Sequence, residues 1–354
     1  MSPTKRKICY VASTTLLLSA LEYLIPKPLP FLKLGLANLP LLVVLDSFGW
    51  KDFLLLSLLK ICGSSIVSGT LFSYVFILVF LGGLASSVVM KGASSLMRSR
   101  ISTIGCSSLG ALASNLVQLW AASVFVYGPS IWVAAPLLLT VGLCASVILG
   151  ALAGAYKRRG RLLSREWASG EAAAWETSSH PVPFLLLSIT VVLVAIERKP
   201  LPLLLAMAVL FATQKASGRK ILLGPSLILF FSLLVLSLFE PNGKVLCTLG
   251  SLAVTKGALL DATVRGLRLV TLVACSQAMV TVMPHAPGTF FSMLSLTLGY
   301  FSSFRIRKRS GTFVQWIDDC LETALTGPPK AQKQPAVRLM IVFSFLSIVF
   351  LIIF

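Results

Sequence analysis

Long apolar runs recur along the chain from Ile8 to Phe354, each closed by prolines or by a short burst of lysine and arginine. Runs of about 20 apolar residues predict helices that cross a bilayer. The alternating ten-residue strands of a membrane barrel are absent. The basic stretch Lys157, Arg158, Arg159 and Arg161, closed by Arg165, ends one array of runs, and a second array begins at Phe184. A Lys or Arg at the centre of a membrane helix costs about 2.5–3.5 kcal/mol, so this stretch belongs in water, and the positive-inside rule puts it on the cytoplasmic side. The chain therefore reads as an all-α, polytopic membrane protein of about eleven transmembrane helices in two bundles, six and five. Its expected units are 1–156, a cytoplasmic linker over 157–183, and 184–354 with a cytoplasmic segment over 284–336.

In the first unit, Lys5, Arg6 and Lys7 set the N-terminus inside. The first span, about 8–25, ends at the prolines 26, 28 and 30. The expected spans that follow are about 41–50, 52–69, 71–90, 104–126 and 131–156. Six crossings that start inside must end inside, and the linker is basic; the loop carrying Lys91, Arg98 and Arg100 also falls inside. The N-terminal apolar stretch lacks a small-residue cleavage site before Pro26, so an uncleaved first helix is expected rather than a removed signal. In the second unit the expected spans lie near 184–196, 201–213, 221–239, 264–282 and 337–354. Residues 245–262 read as interfacial or re-entrant. Arg198 and Lys199 then fall outside, an exception to the rule that the rest of the map obeys, unless the two short spans around them form a helical hairpin that does not fully cross.

Composition agrees with a membrane protein: 56% hydrophobic and 12% charged residues, against about 25% charged in soluble domains. The net charge of +19 does not signal nucleic acid, because the cations sit in short loops at the ends of apolar runs. Seven cysteines are scattered singly and without a Cys/His cluster, which suits small packing residues rather than a metal site or a disulfide framework.

Several polar positions interrupt the apolar runs. Lys33, Gly35 and Asn38 break the stretch 31–40, and irregular backbone at membrane depth is tolerated only when packed in protein or lining a cavity. Lys33 and Asn38 suit an anionic or multiply hydrogen-bonding ligand, although Lys33 could equally snorkel to headgroups. Asn115 and Gln118 either hold helices together or line a substrate cavity, since an unsatisfied amide facing lipid is costly. Gly142, Ser146, Gly150 and Gly154 recur every four residues and form a smooth face for close helix packing, within the unit or against a partner.

The motifs Lys33-Leu34-Gly35-Leu36-Ala37-Asn38, Gly82-Gly83-Leu84-Ala85-Ser86 and Gly110-Ala111-Leu112-Ala113-Ser114-Asn115-Leu116-Val117-Gln118-Leu119 resemble the Gx transporter family, also named heptaprenyl diphosphate synthase component I. The resemblance covers about 8–156. That family is similar to the substrate-binding S components of energy-coupling-factor (ECF) vitamin transporters, which implies a six-helix fold; Lys33, Asn38, Asn115 and Gln118 are the candidate substrate-binding residues on the grounds given above. The family commonly has His where this chain has Ser114. Over 184–354, Glu240-Pro241-Asn242-Gly243-Lys244, Thr255-Lys256-Gly257-Ala258-Leu259-Leu260-Asp261 and Arg265-Gly266-Leu267-Arg268-Leu269 resemble the ECF T component, the scaffold that couples an S component to paired ATPases. Asp261 and Arg265, four apart on a helix, can form a structural ion pair. The short Ala-Arg motifs through which T components couple are missing between 284 and 336. The expected contacts with ATPases are instead the amphipathic run 290–296 and the cations Arg305, Arg307, Lys308 and Arg309.

No P-loop motif is present, so any ATP is expected on partner ATPases of the ABC type, with no cofactor in the chain. Asp318, Asp319 and Glu322 make one acidic cluster, whereas metal-bridged prenyl diphosphate synthesis needs two. No catalytic residue and no metal ligand is assigned, and the chain is not expected to be an enzyme. The first expectation is a subunit of an ECF-type transporter in the inner (cytoplasmic) membrane, carrying a vitamin or cofactor, flavin foremost. The rivals are an accessory subunit of heptaprenyl diphosphate synthesis and a non-transporting membrane scaffold.

Overall fold

The computed structural model describes residues 2–24, 35–97, 100–159, 180–216, 227, 230–231, 233–235, 244–249, 252–282, 288–304 and 336–353. It is a helical protein. The first unit contains α1 (Pro3–Leu24), α2 (Leu39–Val44), α3 (Trp50–Ser68), α4 (Tyr74–Met97), α5 (Thr103–Ala122) and α6 (Ala135–Arg159). A π-helical segment (Ser123–Tyr127) and a 3-10 segment (Gly128–Ala134) join α5 to α6. The expected second span over 41–50 is corrected. α2 has only six residues, about 9 Å of helix, too short to cross a bilayer.

The second unit contains α7 (Pro181–Ile196), α8 (Pro200–Ala216), α9 (Lys256–Thr281), α10 (Thr289–Ser303) and α11 (Val337–Ile353). The stretch read as interfacial or re-entrant, 245–262, contains a strand pair and the start of a helix. A β-hairpin, Val245–Leu249 with Leu252–Thr255, leads into α9, which starts at Lys256 rather than near 264. The Thr255 hydroxyl caps that start by accepting from the Ala258 N–H. Among the described residues, Tyr74–Met97, Thr103–Val126 and Gly128–Arg158 are long and apolar enough to cross a membrane. Pro181–Ile196, Pro200–Lys215 and Val337–Ile353 are shorter apolar helices, in keeping with an all-α membrane protein. The expected span over 221–239 lies mostly outside the described residues.

Buried amphipathic faces set the packing. α4, α5 and α6 lie side by side, and α7, α8, α9 and α11 form a second bundle. In that bundle Thr190 and Ser347 hydrogen-bond at 3.3 Å, and Gln214 Nε2 donates to the Ala274 carbonyl at 3.1 Å. Polar side chains in an apolar interior are thus turned onto backbone or onto one another.

Three cations gather at one end of the first unit. Lys91 Nζ donates to the carbonyls of Leu45 (2.8 Å) and Phe48 (2.7 Å), just past the end of α2. Lys157 Nζ pairs with Asp46 at 2.7 Å, and Lys7 lies 5.8 Å from the Phe48 ring. These cations come from the three segments that the sequence places on one side. Burial would raise the Asp46 carboxyl. Hydrogen bonds from Lys157 and Ser94 and the nearby Lys91 charge outweigh that effect and hold it below the ordinary carboxylate range. A depressed carboxyl stabilises the fold above its unfolded value of about 3.9 and loses that contribution as pH falls through the lower folded value. Thermal melts of the parent and Asp46→Asn should therefore differ at neutral pH and converge below about pH 4. The gap should stay under about 1 kcal/mol, because the Asp46 side chain is 66% exposed.

The two units meet in a way that the upright map does not allow. The Phe72 N–H, in the α3–α4 turn expected outside, donates to Ser276 Oγ at 2.9 Å near the end of α9 that was expected inside. The Phe72 ring stands edge-on to Phe184 at 5.7 Å, near the start of α7, which was also expected inside. Leu269 and Val270 of α9, with Met207 and Phe211 of α8, also share a buried cluster with Leu78, Leu119 and Leu138 of the first unit. α10 then crosses α1: Cys9 Sγ donates to the Met293 carbonyl, and Tyr10 and Tyr300 stack edge to face at 5.8 Å. Met293, Leu294, Leu298 and Phe304 join the core of the first unit.

Candidate functional site

The broken stretch between α1 and α2 carries the buried charge. Glu22, two residues before the end of α1, is 5% exposed. Its Oε1 accepts the Gly35 N–H at 3.2 Å. Gly35 has φ +83°, a left-handed conformation that side chains rarely adopt, and Leu149 of α6 would meet any Cβ there at 3.3 Å. The backbone then makes a 3-10 turn over Leu36–Asn38, and Asn38 Oδ1 accepts from Lys60 Nζ, midway along α3. A carboxylate, an amide, a cation and a bent backbone thus converge from α1, the break and α3 inside an apolar unit.

Sequence reasoning found Asn38 but not Glu22 or Lys60. Both were signalled as ionisable residues inside otherwise apolar runs. Lys33 lies outside the described residues.

Asn115 and Gln118 are not at this cluster. Asn115 Nδ2 donates to the Leu138 carbonyl at 3.4 Å, and Gln118 Nε2 donates to Ser114 Oγ at 3.0 Å. Each amide fills a space that a glycine leaves open on the neighbouring helix. A Cβ on Gly142 would come within 2.0 Å of Asn115 Nδ2, and one on Gly82 within 2.5 Å of Gln118. Of the two open readings, helix packing is the one with geometry behind it. The small-residue face of α6 also packs internally: Ser146 bonds Ser108 at 3.2 Å, Gly150 lies against the Ile104 backbone and Gly154 against Thr103.

The coupling residues fare differently. Arg305, Arg307, Lys308 and Arg309 lie outside the described residues. The run 290–296 was expected to meet a partner, yet Met293 and Leu294 are buried against α1 of the same chain. Positions 293, 297 and 300 share one helix face, and that face is already filled. The expected Asp261–Arg265 pair is not formed either. Both side chains are exposed on α9 and no hydrogen bond or ion pair joins them, as befits exposed charges, which gain little by pairing.

Comparison with known families bears on the unit that holds the buried cluster. Residues 11–156 match the family heptaprenyl diphosphate synthase component I. The match takes in Glu22, Gly35, Asn38, Lys60, Asn115 and Gln118, and it ends close to the end of α6. It spans under half of the chain. Neither a curated protein nor a solved structure matches.

Proposed function

We propose that the chain is the membrane subunit of a transporter for a vitamin- or cofactor-sized molecule, with flavin the first cargo to test. The observation that carries this reading is the group Glu22, Asn38 and Lys60 beside the break at Gly35. Ionisable groups inside apolar bundles are expensive and concentrate on substrate or ion pathways. Interrupted helices at such depth are a feature of carrier binding sites. Lys60 would attract an anionic or carbonyl-bearing group, and Glu22 and Asn38 would offer acceptors to its N–H or O–H groups. Movement would follow alternating access, with the second bundle joined to the first through Phe72 and α10. ATP would be hydrolysed by cytoplasmic ABC-type ATPases held by the cytoplasmic segment that includes Arg305, Arg307, Lys308 and Arg309. The N-terminus would face the cytoplasm, in the inner membrane.

A second reading is favoured by the description of the matched family: a membrane component of prenyl diphosphate synthesis, acting beside a catalytic partner rather than by itself. Purification in mild detergent separates the two. The transporter reading expects riboflavin or FMN to bind, with fluorescence quenching, and an ATPase to co-purify. Lys60→Met, Glu22→Gln and Asn38→Ala should each weaken flavin binding by about tenfold while the protein stays folded. Co-purification of a soluble prenyl synthase subunit, with no flavin bound, would establish the second reading instead.

A further inference from the structure

Arg198 and Lys199 stand out in the sequence as a basic loop on the side where basic residues are depleted. The structure surrounds them with more positive charge. α7 ends at Ile196, and the carbonyl that follows, Glu197 O, accepts from Arg268 Nη2 at 2.6 Å. The Glu197 carboxylate folds back on its own loop, accepting the N–H groups of Arg198 and Lys199 at 2.8 Å each. Arg265 precedes Arg268 by three residues on α9, so the two project from one side of the helix. Arg198 and Arg265 are both within electrostatic reach of Arg268.

Arg268 has a structural duty, since it caps α7. Arg198 and Arg265 have none: both are exposed, and neither side chain makes a hydrogen bond among the described residues. The Arg268 Nε is buried and has no hydrogen-bond partner there. Asp261, the carboxylate placed to neutralise Arg265, does not engage it. Arg198 and Arg265 both act on Arg268, and the Glu197 carboxylate, held on the Arg198 and Lys199 N–H groups, opposes them; three like charges against one leave a net attraction for a further anion. The surface beside them is apolar. Ile196 is 69% exposed, Leu201 55% and Leu260 52%, the exposure expected of side chains that face lipid tails.

We propose that Arg198, Arg265 and Arg268 form a phosphate-binding site at this end of the second bundle, taking the phosphate or diphosphate group of a membrane lipid. The guanidinium fork matches two phosphate oxygens at once, which a lysine cannot do. The apolar flank gives the acyl or prenyl chain its place and favours a lipid over a free anion, although both offer the same phosphate. The site is independent of the transporter reading and of the buried cluster in the first unit.

The test uses the full chain in nanodiscs of neutral phosphatidylcholine, with two probes: phosphatidic acid, followed by native mass spectrometry, and inorganic diphosphate, followed by calorimetric titration. The double variant R198Q/R265Q leaves the Arg268 cap in place, so its melting temperature should match the parent. The parent should retain phosphatidic acid, and the double variant should bind it about tenfold more weakly or worse. Lys215→Gln, at the opposite end of α8, should bind like the parent. Binding of diphosphate but not phosphatidic acid, lost in the double variant, would uphold the phosphate site and overturn its lipid source. The site itself is overturned if the parent binds neither probe, or if the folded double variant binds both as the parent does.

Discussion

Lys91→Met should cost about 2–4 kcal/mol of stability, among the largest losses available from a single side chain in this protein. Lys91 is 8% exposed, and its ammonium is spent on the carbonyls of Leu45 and Phe48. A six-residue helix leaves most of its C-terminal carbonyls without internal partners, so a donor from a neighbouring helix is needed to end it inside protein. Met fills much of the same volume and keeps contact with Phe53, whose ring lies 5.8 Å from the Lys91 Nζ. What it removes is the pair of hydrogen bonds, leaving two carbonyls to be buried bare or rehydrated. Unfolding titrations in mixed micelles would show the loss as an earlier midpoint. Lys91→Arg, which keeps donors, should lose less than half as much. Equal midpoints for the parent and the Met variant would mean that water or lipid already serves these carbonyls.

The second large effect is expected at Gly150. A Cβ there would sit 2.5 Å from Ile104 Cα and 3.1 Å from both Ile104 N and the Thr103 carbonyl oxygen. Backbone cannot rotate aside, so Gly150→Leu must push α6 off α5, at about 3 kcal/mol or more. Gly142→Ala makes the useful contrast. Its Cβ would come within 2.0 Å of Asn115, but the clash is with the tip of a side chain that can swing away. That variant should lose about 1 kcal/mol, chiefly the Asn115–Leu138 hydrogen bond, and in an Asn115→Ala background, which already lacks that bond, Gly142→Ala should cost little more. Expression and melting in detergent would rank the two. Similar losses at both sites would mean that α5 and α6 slide more easily than their close contact implies.

Much of the first unit was legible because its signals are local. Lysines and arginines at the ends of apolar runs place Lys7, Lys91 and Lys157 together. The glycines at 82 and 142 and the amides at 115 and 118 belong to motifs visible in the chain, but only the structure shows that they fit into one another. Glu22 and Lys60 were overlooked because each sits alone in an apolar run. Their meaning depends on a bend at Gly35 that joins positions 13 and 22 residues apart. The second unit was harder. Hydropathy does not distinguish α10, whose apolar face is filled by α1, from a helix awaiting a partner. Nor could it show that Phe72 meets Phe184, since tertiary placement overrides a rule that concerns only which loops carry charge. The hairpin at 245–255 was missed because its β-branched residues, among them Val245, Val254 and Thr255, are equally at home in a membrane segment.

The crossing of α10 over α1 also sets a timetable. Cys9 waits for Met293, 284 residues later in the chain. At about 5–20 residues per second, a ribosome needs roughly 15–60 s to supply that partner. Through that interval the face of α1 around Cys9 and Tyr10 must be shielded by lipid, by the insertion machinery or by a chaperone. A ribosome stalled anywhere in the second unit would leave it bare. Protection of Cys9 from a lipid-soluble thiol reagent should therefore arrive late in synthesis, long after the helix itself has formed.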